Sequence, residues 1–250
     1  MIEYPIIKNL LNISDEEKLL DFADIEEALR LGIAVPKEVI PGKGILIYIG
    51  SGDVYILSAV DDDTADKLLS LLPEDGFYVL CVHGEKAISK VKSSMNDLMG
   101  EETYYQFVYP GSADDISAHM VCNEGYTLSI CHPGDEYFKE VIANYDLVPE
   151  EDLRMDFEDP SFLAGFTDGE MACFIGRHRE GAMGLLRVFP QYRRRGYAEK
   201  IYSTLIYEQI KRGALPYCQV DVTNDASIHL QNKLGFLKAA QPVGWFVKEE

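Results

Sequence analysis

The chain has 250 residues, 47% of them hydrophobic, and a formal net charge of −19 at pH 7. This length and hydrophobic content can supply the core of one large domain or two small ones. The acidic balance argues against bulk nucleic-acid binding and against an anionic membrane surface, because both need a surplus of Lys and Arg.

The distribution of cysteines and apolar residues predicts a cytoplasmic protein. The 5 cysteines are scattered, and no two of them have the C-x-x-C spacing that is typical of a zinc cage. Their odd number also argues against a disulfide framework. The N-terminal stretch is acidic where a signal peptide is basic, and no apolar run has the length of a membrane span. Because His83, His119 and His132 show no ligand spacing, no metal is predicted.

The first half of the chain alternates helical and strand patterns. Ser14 followed by Glu17 has the spacing of a helix-capping box, and the dipeptide Ser51-Gly52 is a turn signal between two apolar runs. The predicted elements are, in order, a helix over 14–32, a hairpin over 44–50 and 53–60, a helix over 63–72, a strand over 77–83, a helix over 85–99 and a strand over 103–110. Residues 112–117 form a polar joint, so we predict two domains, 1–118 and 119–250.

The second half has a similar α/β pattern. Its predicted elements are a strand over 126–131, a helix over 135–145, a short acidic helix after Pro149, a hairpin over 162–167 and 170–176, a strand over 183–188, a helix over 197–212, a strand over 216–222, a helix over 226–234 and two short terminal strands. The order of elements over 53–110 parallels that over 183–248. The N-terminal domain is therefore a candidate degenerate copy of the second, in an overall α/β (α+β) fold.

An arginine-rich turn connects the 183–188 strand to the 197–212 helix. The strand is followed by Pro190, by three arginines at 193–195 and then by Gly196, where the helical pattern begins. The first N–H groups of a helix lack intrahelical partners, and with the helix dipole they attract phosphate. Gly196 lets a phosphate approach the backbone, and the arginines add positive charge. The matching N-terminal stretch, residues 58–67, is acidic and is not expected to hold a phosphate in this way.

Two motifs in this half resemble the GNAT superfamily of acyl-CoA-dependent N-acyltransferases. RRRGYA (193–198) is similar to the family's Gln/Arg-x-x-Gly-x-Gly/Ala pyrophosphate loop. The segment 224–236, which begins with Asn224 and ends in Leu-Gly-Phe, is similar to the family's late strand–Asn–helix signature. The resemblance covers about residues 120–250 and is closest to the C-terminal domains of glycine N-acyltransferase-like proteins. It implies a GNAT-like mixed sheet flanked by helices.

The resemblance also implies a cofactor and roles for named residues. Acetyl-CoA or another acyl-CoA is the implied donor, and its pantetheine arm would pair with the main chain of Leu186, Arg187 and Val188 as an added strand. The Val188 N–H would stabilise the oxyanion, and Asn224 would bind near the thioester. The pyrophosphate would be held at the loop formed by Arg193, Arg194, Arg195, Gly196, Tyr197 and Ala198.

The acid–base residues depart from the family pattern. Gln231 stands where family members often have the tyrosine that protonates the thiolate, and Gln219 stands where some have a glutamate base. A glutamine amide donates a hydrogen bond but does not deliver a proton at neutral pH. Asp221, two residues after Gln219, points to the same face of the strand and is the candidate base. A tyrosine of the helix, at 197, 202 or 207, is a further candidate acid.

These observations lead to an N-acyltransferase as the expected function. A primary amine, from a small molecule or a peptide, would attack the thioester directly in a ternary complex. A non-catalytic acyl-CoA sensor is the first alternative, and a protein-interaction module whose arginine turn binds an acidic partner is the second. The acceptor amine, the acyl length and the oligomeric state, monomer or homodimer, stay open.

Overall fold

The computed structural model of the chain describes residues 4–95, 97–120, 125–130, 136–145, 150–156 and 162–249. Within them the α-helices are α1 (Pro5–Leu11), α2 (Glu16–Leu19), α3 (Ala23–Arg30), α4 (Asp62–Leu69), α5 (Glu85–Ser94), α6 (Ala113–Ser117), α7 (Glu136–Asn144), α8 (Glu150–Asp156), α9 (Tyr197–Lys211) and α10 (Asp225–Lys233). The strands are β1 (Ala34–Ile40), β2 (Gly44–Ile49), β3 (Val54–Ala59), β4 (Tyr78–His83), β5 (Leu98–Val108), β6 (Tyr126–Ile130), β7 (Leu163–Thr167), β8 (Glu170–Arg177), β9 (Met183–Val188), β10 (Tyr217–Asp221) and β11 (Leu237–Lys248).

The chain divides into two compact units. The N-unit comprises Glu3–Val108, Gln219–Asp225 and Leu237–Glu250, and the C-unit comprises Tyr109–Cys218 and Ala226–Phe236. The division into domains at residue 118 stays a prediction. In these units two late segments of the sequence fold with the N-terminal half.

The N-unit is built on a sheet with the strand order β1-β2-β3-β4-β11-β5-β10, in which β10 belongs to the N-unit from Gln219 onward. The β1–β2 and β2–β3 pairs are antiparallel, β3 and β4 are parallel, and β11 lies antiparallel between β4 and β5. One face packs its apolar side chains against α4 and α5, whose Leu68 and Val91 join the buried cluster. The expected hairpin over 44–50 and 53–60 is confirmed.

The opposite face of this sheet carries polar side chains. His83 of β4 and Gln106 of β5 are buried there, and the chain segment that enters α3 covers them. The His83 Nε2 lies 2.8 Å from a carboxylate oxygen of Asp24, and the Gln106 amide donates to the Leu20 carbonyl at 2.9 Å. Buried polar groups need such partners because burial removes their hydrogen bonds to water.

The C-unit contains a four-stranded antiparallel sheet in the order β6-β7-β8-β9, with α9 packed against β7, β8 and β9. The β7–β8 hairpin turns at Asp168 and Gly169, with φ of 52° and 83°, as a type I′ turn requires. The ring of Phe174 packs against those of Phe162 and Phe189, with centroids 5.9 Å and 6.0 Å apart. Among the helices that the structure describes, none combines the length and the apolar character needed to cross a membrane.

Several predicted elements need correction. The helix expected over 85–99 ends at Ser94, because residues from Leu98 onward pair with β11. The chain ends in one long strand, β11, rather than two short ones, although the pairing of β11 with β5 shifts register twice. The polar joint at 112–117 contains α6, whose capping box joins Ser112 and Asp115. For the helix expected over 85–99, the pairing of its last residues with β11 overrides their local helix preference.

The helix expected over 14–32 is also interrupted. It consists of α2, a single 3₁₀ turn at Leu20–Phe22 and α3. The N-cap of α2 is Asp15, whose side chain accepts the Glu17 N–H, rather than Ser14. The helix α1 and the strand β1 were not predicted. The strand expected to end at residue 131 is confirmed to Ile130, and residue 131 lies outside the described residues.

Gly44 offers a test of the packing in the N-unit. A Cβ built on Gly44 would lie 2.5 Å from the Ser58 carbonyl oxygen on β3, whereas one on Gly50 would meet its nearest neighbour at 3.7 Å. We expect Gly44→Ala to lower the free energy of unfolding by about 1–3 kcal/mol, because the backbone of β3 must move. Gly50→Ala is the matched control and should change stability little. Chemical denaturation of both variants measures the difference, and equal stabilities would contradict the pairing of Gly44 with Ala59 in the β2–β3 register.

Candidate functional site

The edge strand β9 and the start of α9 bring most of the predicted site residues together in the C-unit. Opposite β8, the strand contains an extra residue between Gly184 and Arg187, and Leu185 within it has φ of 58°. Such a β-bulge bends the strand and redirects its main chain.

The main-chain N–H of Val188 faces the free edge of β9. Phe189 donates its N–H to the Ala172 carbonyl on β8 at 3.0 Å. Because hydrogen-bonding directions alternate along an antiparallel strand, Val188, which stands opposite Cys173, directs its N–H away from β8. As β9 is last in the strand order of its sheet, this group lies on an edge to which an extended ligand can add as a strand.

The arginine turn between β9 and α9 has an unusual backbone. Arg194 and Gly196 both have positive φ, 63° and 83°, which is costly for arginine and readily adopted by glycine. The Arg193 Nε–H donates to the Val188 carbonyl at 3.1 Å and ties the turn to the end of β9. The three arginines and Gly196 are exposed, whereas Tyr197 is buried.

The N-terminus of α9 is open. Its N-cap is Gly196, and in the part of the chain that the structure describes no side chain caps the helix. A Cβ built on Gly196 would meet no described atom within 4 Å. No described side chain therefore occupies the first N–H groups of α9, which lie next in sequence to three exposed arginines, and this is an arrangement that favours phosphate.

An acidic residue in the first turn of α9 is held by a basic partner. The Glu199 carboxylate accepts from Lys233 Nζ at 2.5 Å and lies 3.0 Å from His119 Nδ1. These hydrogen bonds lower the pKa of Glu199 from its usual value. Lys233 offsets the negative charge that would otherwise oppose an anion at this helix terminus.

Gln231 and Tyr202 lie in the core of the C-unit. Both side chains are at most 3% exposed. The Tyr202 hydroxyl lies near the Gln231 amide, but neither polar atom of that amide forms a hydrogen bond of adequate geometry with a described residue. Burial raises the pKa of Tyr202 well above its usual range. Burial also raises the pKa of the neighbouring Cys218 thiol to about 12, so this cysteine stays protonated.

Asp221 and Asn224 belong to the N-unit rather than to the C-unit. The Asp221 carboxylate accepts from the Thr223 N–H at 2.7 Å and from the Thr223 hydroxyl at 2.5 Å. These hydrogen bonds lower the pKa of Asp221, which makes it a weaker base. Asn224 is exposed. The catalytic and binding roles expected for these residues stay predictions.

In the N-unit, the helix α4 that follows the strand β3 begins differently from α9. The N-cap of α4 is Asp61, whose side chain accepts the Thr64 N–H at 2.8 Å. A groove of about 870 Å³ runs past this helix and α5, and its lining includes Asp61, Asp62, Asp63 and Glu85. A capped and acidic helix terminus repels phosphate, in contrast to α9.

Comparison with known proteins identifies the fold. Residues 163–245, about a third of the chain, match the family model described as FR47-like protein. A Drosophila protein is 15% identical, with a TM-score of 0.67 over 98% of this chain and 93% of its own. A GNAT-family acetyltransferase from Novosphingobium aromaticivorans is 16% identical, with a TM-score of 0.53 over 94% and 98%.

A tandem GNAT protein from the clavulanic acid biosynthesis pathway is 11% identical, with a TM-score of 0.50 over 90% of this chain and 86% of its own. Among curated proteins there is no match. The resemblance to the GNAT superfamily and the mixed α/β fold with a two-part GNAT-like arrangement, both predicted from the sequence, are confirmed.

Sequence reasoning located the turn but missed its supports. The bulge at Leu185 has no sequence signal, because a buried leucine in an apolar run predicts a regular strand. The pairing of Glu199 with Lys233 and His119 joins residues that are distant in the sequence. Spacing within the α9 helix alone does not reveal it.

The pH dependence of stability tests the Glu199 contacts. A carboxylate with a lowered pKa stabilises the fold above its ordinary pKa, and the contribution is lost as the pH falls through the lowered value. We therefore expect Glu199→Gln to lower the free energy of unfolding by about 0.5–1 kcal/mol at pH 7, a small amount because the ion pair is partly exposed. The loss should become progressively smaller below about pH 4.5. Urea unfolding across this range checks it, and a cost independent of pH would contradict the ionic role of Glu199.

Proposed function

Because the chain has the GNAT fold, we propose that it is a cytoplasmic N-acyltransferase that moves an acetyl or other acyl group from acyl-CoA to a primary amine. The observation that carries the proposal is the open N-terminus of α9, exposed beside Arg193, Arg194 and Arg195 and joined to the edge strand β9. The acceptor is a small-molecule or peptide amine.

The diphosphate of acyl-CoA binds at the arginine turn. The N–H groups that follow Gly196 donate to its oxygens, and the arginine side chains neutralise its charge. Gly196 leaves room for the diphosphate to approach, since no described atom lies within 4 Å of its Cβ position. The pantetheine arm then extends along Leu186, Arg187 and Val188 as an added strand.

The thioester carbonyl accepts a hydrogen bond from the Val188 N–H. This donor is fixed by the β8–β9 pairing, so it needs no reorientation when negative charge develops on the carbonyl oxygen. The neutral amine attacks the carbonyl carbon, the C–S bond breaks, and CoA leaves as the thiolate. Binding both reactants in one site replaces a bimolecular encounter.

Proton transfer in this reaction involves two groups. The amine loses one proton, and the thiolate gains one. Asp221 is the candidate base and Gln231 the candidate donor of a hydrogen bond to the leaving sulfur, while an amide such as Gln231 does not release a proton at neutral pH. Water, or a tyrosine of α9 at position 197, 202 or 207, is the remaining carrier of the proton.

A non-catalytic acyl-CoA sensor is the second candidate. Gln231 favours it, because this buried amide stands where family members often have the tyrosine acid. Consumption of acetyl-CoA thioester against a broad panel of amines separates the two functions. Binding of acetyl-CoA without turnover on any amine would favour the sensor.

Thermal denaturation tests acyl-CoA binding. A ligand that binds only the folded state raises Tm, because it adds about 2.7 kcal/mol to the free energy of unfolding when its concentration is about 100 times Kd. We expect acetyl-CoA and CoA to raise Tm, and Gly196→Ala to abolish the increase because its methyl group occupies the diphosphate path.

Gly213, at the other end of α9, supplies the matched control. It has φ of 72° and, like Gly196, no described atom within 4 Å of its Cβ position. Gly213→Ala should therefore lose about the same stability, roughly 1–2 kcal/mol, and keep the acetyl-CoA response. If millimolar acetyl-CoA leaves the Tm of the unsubstituted protein unchanged, the proposal fails.

Val188→Pro tests the oxyanion donor. Proline removes the Val188 N–H without removing a β8–β9 hydrogen bond, because that N–H faces the free edge. We expect kcat to fall by roughly 10²–10³-fold while the Tm increase with acetyl-CoA persists. Val188→Ala keeps the N–H and is the control. Equal kcat values for the two variants would exclude this N–H as the donor.

A further inference from the structure

Three potential metal ligands meet in the interior of the N-unit. A carboxylate oxygen of Asp24, the Sγ of Cys81 and a ring nitrogen of His83 all lie within 4.8 Å of one another. The exposed fractions of the three residues are 1%, 0% and 3%. Cys81 and His83 are two residues apart on β4 and so share one face of the sheet, against which α3 places Asp24.

The types of these ligands select a class of metal. A thiolate, an imidazole and a carboxylate are the groups that bind Zn²⁺, whereas Ca²⁺ and Mg²⁺ are held by oxygen ligands alone. Zinc bonds of about 2.0–2.3 Å place tetrahedral ligand atoms roughly 3–4 Å apart. The cluster needs only small side-chain shifts to reach that geometry.

Charge balance also suits a divalent cation. A buried charge is costly unless it is compensated. The Cys81 thiolate and the Asp24 carboxylate together carry two negative charges, and neutral His83 carries none, so one M²⁺ ion leaves the site neutral. The proton of the Cys81 thiol, and any second proton on the His83 ring, pass to solvent on binding.

The surrounding side chains hold the ligands in place. Asp24 accepts the Ile25 N–H at 2.8 Å through one carboxylate oxygen, and the Gln219 amide lies 3.4 Å from the other. Gln219 is fixed in turn by Gln106 at 3.1 Å and by the Trp245 indole N–H at 2.7 Å. Metal sites in proteins commonly have such an outer layer of hydrogen bonds, which orients the ligands.

One atom in the cluster lacks a hydrogen-bond partner. The Nδ1 of His83 is buried and forms no hydrogen bond within the part of the chain that the structure describes. An unpaired nitrogen in a protein interior is unfavourable and calls for an explanation. A cation that takes Nδ1 of His83 as its ligand supplies one.

We propose that Asp24, Cys81 and His83 bind a zinc-class divalent cation that fastens β4 to α3. None of the three ligands is among the residues proposed for acyl transfer, and all three are buried in the N-unit. Its role is to hold these two elements together, and with three protein ligands a water molecule would complete the tetrahedral coordination. The ion joins α3 to β4, whose ligands Asp24 and Cys81 are 57 residues apart in the sequence (81 − 24).

Cobalt titration of the full-length protein, after treatment with a chelator, tests the site. Co²⁺ is spectroscopically visible, and we expect one equivalent to give a thiolate-to-cobalt charge-transfer band and the intense visible bands of a tetrahedral ion. Zn²⁺ should displace it, and Tm should rise with either metal. Cys81→Ser should remove the charge-transfer band.

Two further variants keep the result interpretable. Cys173→Ser changes a buried cysteine of the C-unit and should leave every band unchanged. Asp24→Asn retains the thiolate and should weaken Co²⁺ binding at least 10-fold while keeping the charge-transfer band, so it reports on the site even when Cys81→Ser folds poorly. Failure of the folded protein to bind Co²⁺ at one equivalent, or a charge-transfer band that survives in folded Cys81→Ser, would overturn the proposal.

Discussion

The left-handed backbone at Arg194 and Gly196 is the constraint on which the proposed site depends. It turns the chain sharply from β9 into α9, and in the proposed function the first N–H groups of the helix and the N–H of Val188 bind the same ligand. Arginine adopts this conformation at a cost of about 1–2 kcal/mol. The hydrogen bond from Arg193 to the Val188 carbonyl and the packing of Tyr197 hold the turn in that strained form.

The same strand-to-helix connection has opposite electrostatics in the two units. In the N-unit the Asp61 carboxylate occupies the N–H donors at the start of α4, whereas in the C-unit Gly196 leaves those of α9 available. A carboxylate that caps a helix competes directly with a phosphate for the same donors. The two connections therefore differ in whether a side chain occupies the first donors of the helix, and the proposed acyl-CoA site rests on the uncapped helix of the C-unit.

Local signals account for what the sequence predicts well. Pro190 and Gly196 mark the ends of β9 and the start of α9, and Asp168-Gly169 fixes the β7–β8 hairpin, so these elements are confirmed within a residue or two. The errors occur where distant segments decide the structure. Leu98 continues an apolar helical pattern, but it pairs with Lys248 of β11, and no local pattern contains that partner.

The polar interior of the N-unit could not be predicted for the same reason, because it is formed by residues that are distant in the sequence. Asp24 and His83 are 59 residues apart, and nothing near either residue predicts that they meet at 2.8 Å. Their burial with Cys81 and Gln106, beside the half-buried Gln219, removes several polar groups from water. Hydrogen bonds compensate most of that loss, but within the described residues the Nδ1 of His83 has no partner. An apolar core of the same volume would generally be at least as stable. The polar residues are therefore best explained by a ligand that uses them, and their chemistry matches a zinc-class cation.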